Sequence, residues 1–363
     1  MNPCAVRWTS AKRTAHTANV AVADVCVWLV LLLSACDSAA HTPVPSLASD
    51  AGATERPHPA GSETSPEEDA GEVPQPSLVE RGEYLVKAVA ACGMCHTPRQ
   101  PDGSFDYSRW LSGVECLIDV DPGDERRGCV HSRNLTNHET GLQNRSDEDI
   151  KDMFRKGERP DGKPVHPFMP YWVLGNMRDA DADAIVAYLR QVPGVDHMLP
   201  PSEPPFRTPD EAAPRWPRDQ IPQPRDDYRD QPAALRGRYL AAEVGVCMAC
   251  HTARTDGDRP DFADAFQGGK QLTSGAFAWS TPSIAPGANG IGQPSPEDLA
   301  RRVQHAHGPS LCTSQSQASD VFAALSDRDA LDIAHFLLSL EPGDRPSDAL
   351  CSLGAGEAQD AGP

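Results

Sequence analysis

The fold turns on two stretches, RGEYLVKAVAACGMCHT from Arg81 to Thr97 and RGRYLAAEVGVCMACHT from Arg236 to Thr252. Each runs from an Arg-Gly pair through an apolar segment into two cysteines two residues apart, with a histidine directly after. The first carries Cys92, Cys95 and His96; the second carries Cys247, Cys250 and His251, at an offset of 155 residues. Two further segments return downstream. SDEDIKDMFRKG from Ser146 answers SPEDLARRVQHA from Ser295, and DADADAIVAYLRQVPG from Asp179 answers DRDALDIAHFLLSLEPG from Asp327. Self-similarity over such a span means two copies of one domain.

Each copy reads as helical. Ser77 with Glu80 forms a capping-box pattern before the first apolar segment. Ser146 and Ser295 stand where N-caps belong, and Pro296 fills a first helical turn. Asp179 and Ser326 precede the final helices, where Ile185, Tyr188 and Leu189, and again Ile333, Phe336 and Leu337, fall on one helical face. Strand-like alternation is scarce, so the expected class is all-α. The loops between helices are long and rich in Gly and Pro, and a small core with such loops needs something inside to organise it.

The expected layout is a signal peptide over 1–35, a disordered tether over 36–76, domain 1 over 77–199, a linker over 200–225, domain 2 over 226–345 and a tail over 346–363. Arg7, Lys12 and Arg13 precede the apolar run VCVWLVLLL, which is too short to span a bilayer and reads as an export signal. The run ends in LSAC, which resembles the lipobox of bacterial lipoprotein signals and implies lipidation of Cys36. A lipid-anchored protein on the periplasmic side of a bacterial membrane is the expectation. The tether is rich in Pro, Ala, Ser, Thr and Glu, without apolar period. Nine prolines between 200 and 225 suggest a stiff, extended linker. The net charge of −19 argues against nucleic acid and for basic or cationic partners.

Cys-x-x-Cys-His can bind zinc, form a redox disulfide or carry covalent haem. Zinc needs four ligands close together, and here the two pairs lie in separate domains with no second pair near either. A thioredoxin-like pair should sit beside a βαβ pattern, which is absent. Haem c remains: the thiols form thioethers and the histidine falls under the iron. The expected cofactors are two covalently bound haem c groups.

On these motifs each half resembles a class I cytochrome c domain. NLTNHETGL from Asn134 resembles that family's Asn-Ile/Leu-Thr element, and HPFMPYW from His166 resembles its methionine loop. The resemblance implies His96 and Met169 as the axial pair of the first haem. Met153, Met177 and Met198 compete by type alone; Met169 has the flanking prolines Pro167 and Pro170. His166 reads as a surface or propionate-side residue.

The second half departs from the pattern. Aligned on the final helices, Met169 falls on Gln317, and no methionine follows Met248. His251 therefore lacks the expected partner across the haem. His305 or His307 could ligate, Gln317 could do so weakly, Cys312 could offer a thiolate, or the position stays open. His335 reads as a surface residue.

Of eleven cysteines, four remain once the signal, the lipid and the haems have taken theirs: Cys116, Cys129, Cys312 and Cys351. In an oxidising compartment they suggest two disulfides, with Cys116–Cys129 as first choice and Cys312–Cys351 following. No catalytic triad, phosphate loop or carboxylate pair stands out. The expected function is electron relay between redox partners, with a periplasmic dehydrogenase or a respiratory complex as the expected candidates. The alternative is a dihaem peroxidase or a small-ligand-binding haem protein.

Overall fold

The computed structural model describes residues 76–120, 128–202, 212–255, 259–274, 277–305, 319–343 and 352–353. The expected signal sequence over 1–35, Cys36, the expected tether up to residue 75, His307, Cys312, Gln317 and Cys351 lie outside the described residues. In the first half, α1 (Leu78–Tyr84) continues into a π-helical turn, Leu85–Val89, and leads into α2 (Cys92–His96). There follow α3 (Asp147–Arg155), α4 (Tyr171–Leu174) and α5 (Asp179–Leu189). The second half repeats the order with α6 (Gln231–Tyr239), the π-helical turn Leu240–Val244, α7 (Cys247–Cys250), α8 (Pro296–His305), α9 (Ser319–Phe322) and α10 (Asp327–Ser339).

Local chemistry starts these helices where the caps are read. Ser77 and Ser146 each form a complete capping box, with Glu80 and Asp149 respectively. Ser295 Oγ accepts from Asp298 N at 3.1 Å, and Ser326 Oγ accepts from Asp329 N at 3.1 Å. Asp179 does not cap α5; it is the first helical residue, behind Arg178, and its carboxylate favours the helix N-terminus instead.

In each half the first and last helices cross at a glycine. A Cβ on Gly82 would stand 1.8 Å from the Ala184 carbonyl oxygen, and one on Gly237 would stand 1.8 Å from that of Asp332. The arginine before each glycine ties the same crossing. Arg81 donates to Asp181 at 2.8 and 3.1 Å, and Arg236 donates to Asp332 at 2.7 and 2.8 Å. The Arg-Gly pair that opens both repeats is thus the lock of the helix crossing.

The two tyrosines that follow reach across to the other half. Tyr84 OH donates to Asp329 and accepts from Ser326 N at 3.2 Å. Tyr239 OH donates to Asp181 and accepts from Arg178 N at 3.2 Å, with the Arg178 guanidinium 4.0 Å from its ring centroid. The contacts are reciprocal, as a pseudo-twofold arrangement of two repeats requires.

Three short antiparallel elements decorate the helices. β1 (Ile118–Val120) pairs with β2 (Gly128–Val130), β3 (Arg254–Thr255) with β4 (Arg259–Pro260), and β5 (Gln271–Ser274) with β6 (Phe277–Ser280), which also takes β7 (Ser352–Leu353). β7 ties part of the expected loose tail to the second half. The expected extended linker is also different in its second part. Trp216 is fully buried, its N–H meets the Trp172 carbonyl at 2.8 Å, and Arg225 N meets the Ser339 carbonyl at 3.0 Å. Proline content set local stiffness, but a buried ring and backbone pairing dock the segment. His335, expected on the surface, is buried, with Nδ1 2.9 Å from Tyr228 OH. Among the described residues no helix is long and apolar enough to cross a membrane.

Candidate haem sites

Each motif begins shortly after a π-helical turn, a local widening of the helix that ends it and re-aims the chain. α2 then carries Cys92, Cys95 and His96 on a single short helix; α7 carries Cys247 and Cys250, with His251 as its C-cap. All four cysteines are free thiols and half-buried. Burial, helped by the neighbouring thiol, pushes Cys92 and Cys247 up to about 12; burial first, then Cys250, pushes Cys95 up to about 11. Such thiols are unlike the lowered-pKa cysteines of disulfide exchange enzymes.

Both histidines are oriented by the same device. His96 Nδ1 lies 2.7 Å from the Arg133 carbonyl oxygen, and His251 Nδ1 lies 2.9 Å from that of Pro282. A carbonyl can only accept, so Nδ1 carries the proton and Nε2 keeps its lone pair for a metal. Burial holds both imidazoles below their ordinary pKa, against the backbone hydrogen bond that raises it, so both are in the neutral, ligating form.

The loop after each motif is built alike. Thr97 Oγ1 accepts from Leu111 N and Thr252 Oγ1 from Phe266 N, both at 3.1 Å. Leu111 and Phe266 both adopt the left-handed conformation, with φ of 60° and 68°. Gly113 N and Gly268 N close back on the carbonyls of His96 and His251, both at 2.8 Å. Two unrelated loops do not share strained residues and closing bonds in register; these are copies.

The donor set fits haem c in both halves: two thiols one helical turn apart and a neutral imidazole with a fixed Nδ1–H. Zinc does not fit. Among the described residues no group of three or more His, Cys, Asp or Glu side chains converges.

The remaining expected residues divide by half. Met169 lies in the turn before α4, its N–H bonded to the His166 carbonyl at 3.0 Å, while Trp172 Nε1 fixes the loop through the Pro167 carbonyl at 3.1 Å. Met177 is buried in the core and Met198 is exposed. His166 Nδ1 accepts from Phe168 N at 3.2 Å, shaping the same loop. His305 is exposed at the end of α8. Cys116 is disulfide-bonded.

Sequence reading missed two residues that join the sites. Lys270 is buried against α7, and Trp216 reaches from the linker into the second half. A lysine in a polar loop and a tryptophan among prolines carry no periodic signal.

Residues 79–193 match the family model described as cytochrome c, so this segment is similar to the domains of that family. Among curated proteins the chain is 28% identical over 250 residues to the alcohol dehydrogenase (quinone) cytochrome c subunit of Gluconobacter oxydans (strain 621H), covering 63% of this chain and 48% of that protein. It is 31% identical over 229 residues to the fructose dehydrogenase cytochrome subunit of Gluconobacter japonicus, covering 61% and 43%. A third relative, "Diheme cytochrome c-type" from Cereibacter sphaeroides, is 36% identical over 119 residues, covering 32% of this chain and 36% of its own length. The chain spans about half, or less, of the length of the first curated relatives it matches.

Proposed function

We propose that the protein is a dihaem cytochrome c that relays electrons and works as the cytochrome partner of a dehydrogenase. One observation carries the reading: the thiol, thiol and carbonyl-oriented histidine set is built twice, with the same closing bonds. When bound, haem c supplies a one-electron couple between ferric and ferrous iron. Cys92 and Cys95 would hold one group covalently and Cys247 and Cys250 the other. His96 and His251 would present Nε2 to the iron, with Met169 opposite His96. His305, His307 or Gln317 would be a further ligand to the second group, or that group would be left open to a small ligand.

The partner is inferred from chemistry and likeness together. Relatives named as cytochrome subunits of alcohol, gluconate and fructose dehydrogenases support a dehydrogenase as electron donor. A respiratory complex is a suitable acceptor. Export, lipidation of Cys36 and a periplasm-facing membrane anchor belong to the same proposal, resting on the LSAC pattern. So does pairing of Cys116 with Cys129 and of Cys312 with Cys351.

A second reading, a peroxidase or a small-ligand binder at the second haem, is favoured by one observation: no methionine follows Met248. One purified sample separates the readings. Haem content and intact mass are expected to give two covalent haems per chain, falling to one when Cys247 and Cys250 are both replaced by Ala. A single haem in the unaltered protein sinks the relay. Electron paramagnetic resonance of the oxidised protein is expected to give two low-spin signals; a high-spin half would promote the ligand-binding reading.

A further inference from the structure

One buried cation touches both haem sites. Lys270 is 8% exposed. Its Nζ donates to the Ala249 carbonyl at 2.7 Å, and Ala249 lies between the two cysteines of the second motif. The same ammonium stands 5.2 Å from the ring centroid of Phe168, the residue directly before Met169 in the first half. One charge thus rests on the thioether helix of one half and the methionine loop of the other.

The aligned position of the first half carries the opposite charge. The position 155 residues earlier is Glu115, which is exposed. Burying an ammonium is costly, and an apolar side chain of similar volume would fill the place more cheaply. A charge held there acts on whatever it faces through a low-dielectric medium, where its field is screened far less than at the surface. An iron centre that gains an electron on reduction becomes more negative, so a nearby fixed cation favours the reduced state.

We propose that Lys270 is a positioning and potential-setting residue for the second haem, and that through Phe168 it fastens the methionine loop of the first half to the second motif. The inference rests on the dihaem reading above. Lys270 makes the second haem easier to reduce than its ligands alone would, which orders the two potentials and gives electron flow between the halves a direction.

The test uses the full-length protein and its Lys270→Met and Lys270→Arg variants, followed by spectroelectrochemical titration. The second-half wave is identified as the one left in place by Met169→His. Lys270→Met is expected to shift the reduction equilibrium of that wave about tenfold toward the oxidised form, which for one electron is about 59 mV downward. Lys270→Arg, which keeps the charge, is expected to stay within about twofold. Two covalent haems with an unmoved second wave in Lys270→Met would overturn the role of Lys270 and leave the relay standing. An equal fall in Lys270→Arg would also overturn it, since packing and not charge would then be at work. A single covalent haem would overturn the relay itself, before any potential is compared.

Discussion

The two halves share a scaffold and differ in what surrounds the motif. In the first, Gly93 lies between the cysteines and Trp110 lies directly on it; a Cβ at Gly93 would meet the indole at 2.2 Å. Trp110 in turn stacks with Tyr107 at 5.8 Å and 23°, and Tyr107 is 65% exposed. In the second half the same positions, 155 residues on, are Met248, Ala265 and Phe262. The small residue and the large one have changed places. The stacking partner is then supplied from outside, by Trp216 of the linker, 5.4 Å from the Phe262 ring at 12°. Trp172 of the first half covers the same ring from 6.1 Å. One motif therefore presents an aromatic pair to solvent, and the other is sealed by the linker and its neighbour.

The hardest way to break that contrast is to remove the borrowed ring. Trp216 is completely buried, and truncating such a side chain costs about 3–5 kcal/mol. Trp216→Ala is expected to lower stability by that amount, read by chemical denaturation. Tyr107→Ala, on the exposed face of the other half, is expected to cost well under about 1 kcal/mol, as surface changes usually do. Equal losses would mean that the linker is not part of the second half's core.

A sharper test exchanges the size pair. Gly93→Met alone drives a side chain into Trp110 and is expected to cost about 1–3 kcal/mol, the usual range for overpacking. Adding Trp110→Ala copies the second half's solution into the first. The double variant is expected to recover about 1 kcal/mol of the loss expected from adding the two single changes, measured as a double-mutant cycle. Strict additivity would show that the two positions do not form one packing unit.

Much of this was legible in the sequence because it is local. The motifs, the 155-residue offset and the caps at Ser77, Ser146, Ser295 and Ser326 depend on neighbours a few residues away, and they stand where the pattern puts them. The Cys-x-x-Cys-His residues of both halves fall on matching elements for the same reason. What could not be read is tertiary. Nine prolines announce stiffness but not that Trp216 is buried against the Phe262 ring. A lysine in a loop is ordinarily at the surface, and Lys270 is buried where it meets the Ala249 carbonyl and the Phe168 ring. His335 is inward because Tyr228, more than a hundred residues earlier, offers it a hydroxyl. The Arg-Gly pair was visible as a repeat, but its purpose needed the helix that crosses it.

The smallest expected effect tests the one feature the halves contribute in kind. Tyr84 and Tyr239 each send a hydroxyl to an aspartate of the other half. Burial first, and then the hydrogen bond to Asp329, push Tyr84 up to about 12, while its bonds with Ser326 pull the other way. Burial and Asp181 likewise push Tyr239 up. In the unfolded chain a tyrosine loses its proton near pH 10. The folded protein holds that proton longer, so the unfolded state is the one that deprotonates first as pH rises. The contribution to stability is therefore whole below about pH 10 and is lost as pH climbs toward about 12. Tyr84→Phe removes the hydroxyl and leaves the Ser326 N–H without its acceptor, at a cost of about 1 kcal/mol at neutral pH. Its denaturation midpoint is expected to fall less steeply between pH 10 and 12 than that of the unaltered protein, because one raised tyrosine is gone. Parallel pH profiles would show that Tyr84 does not hold its proton across the interface.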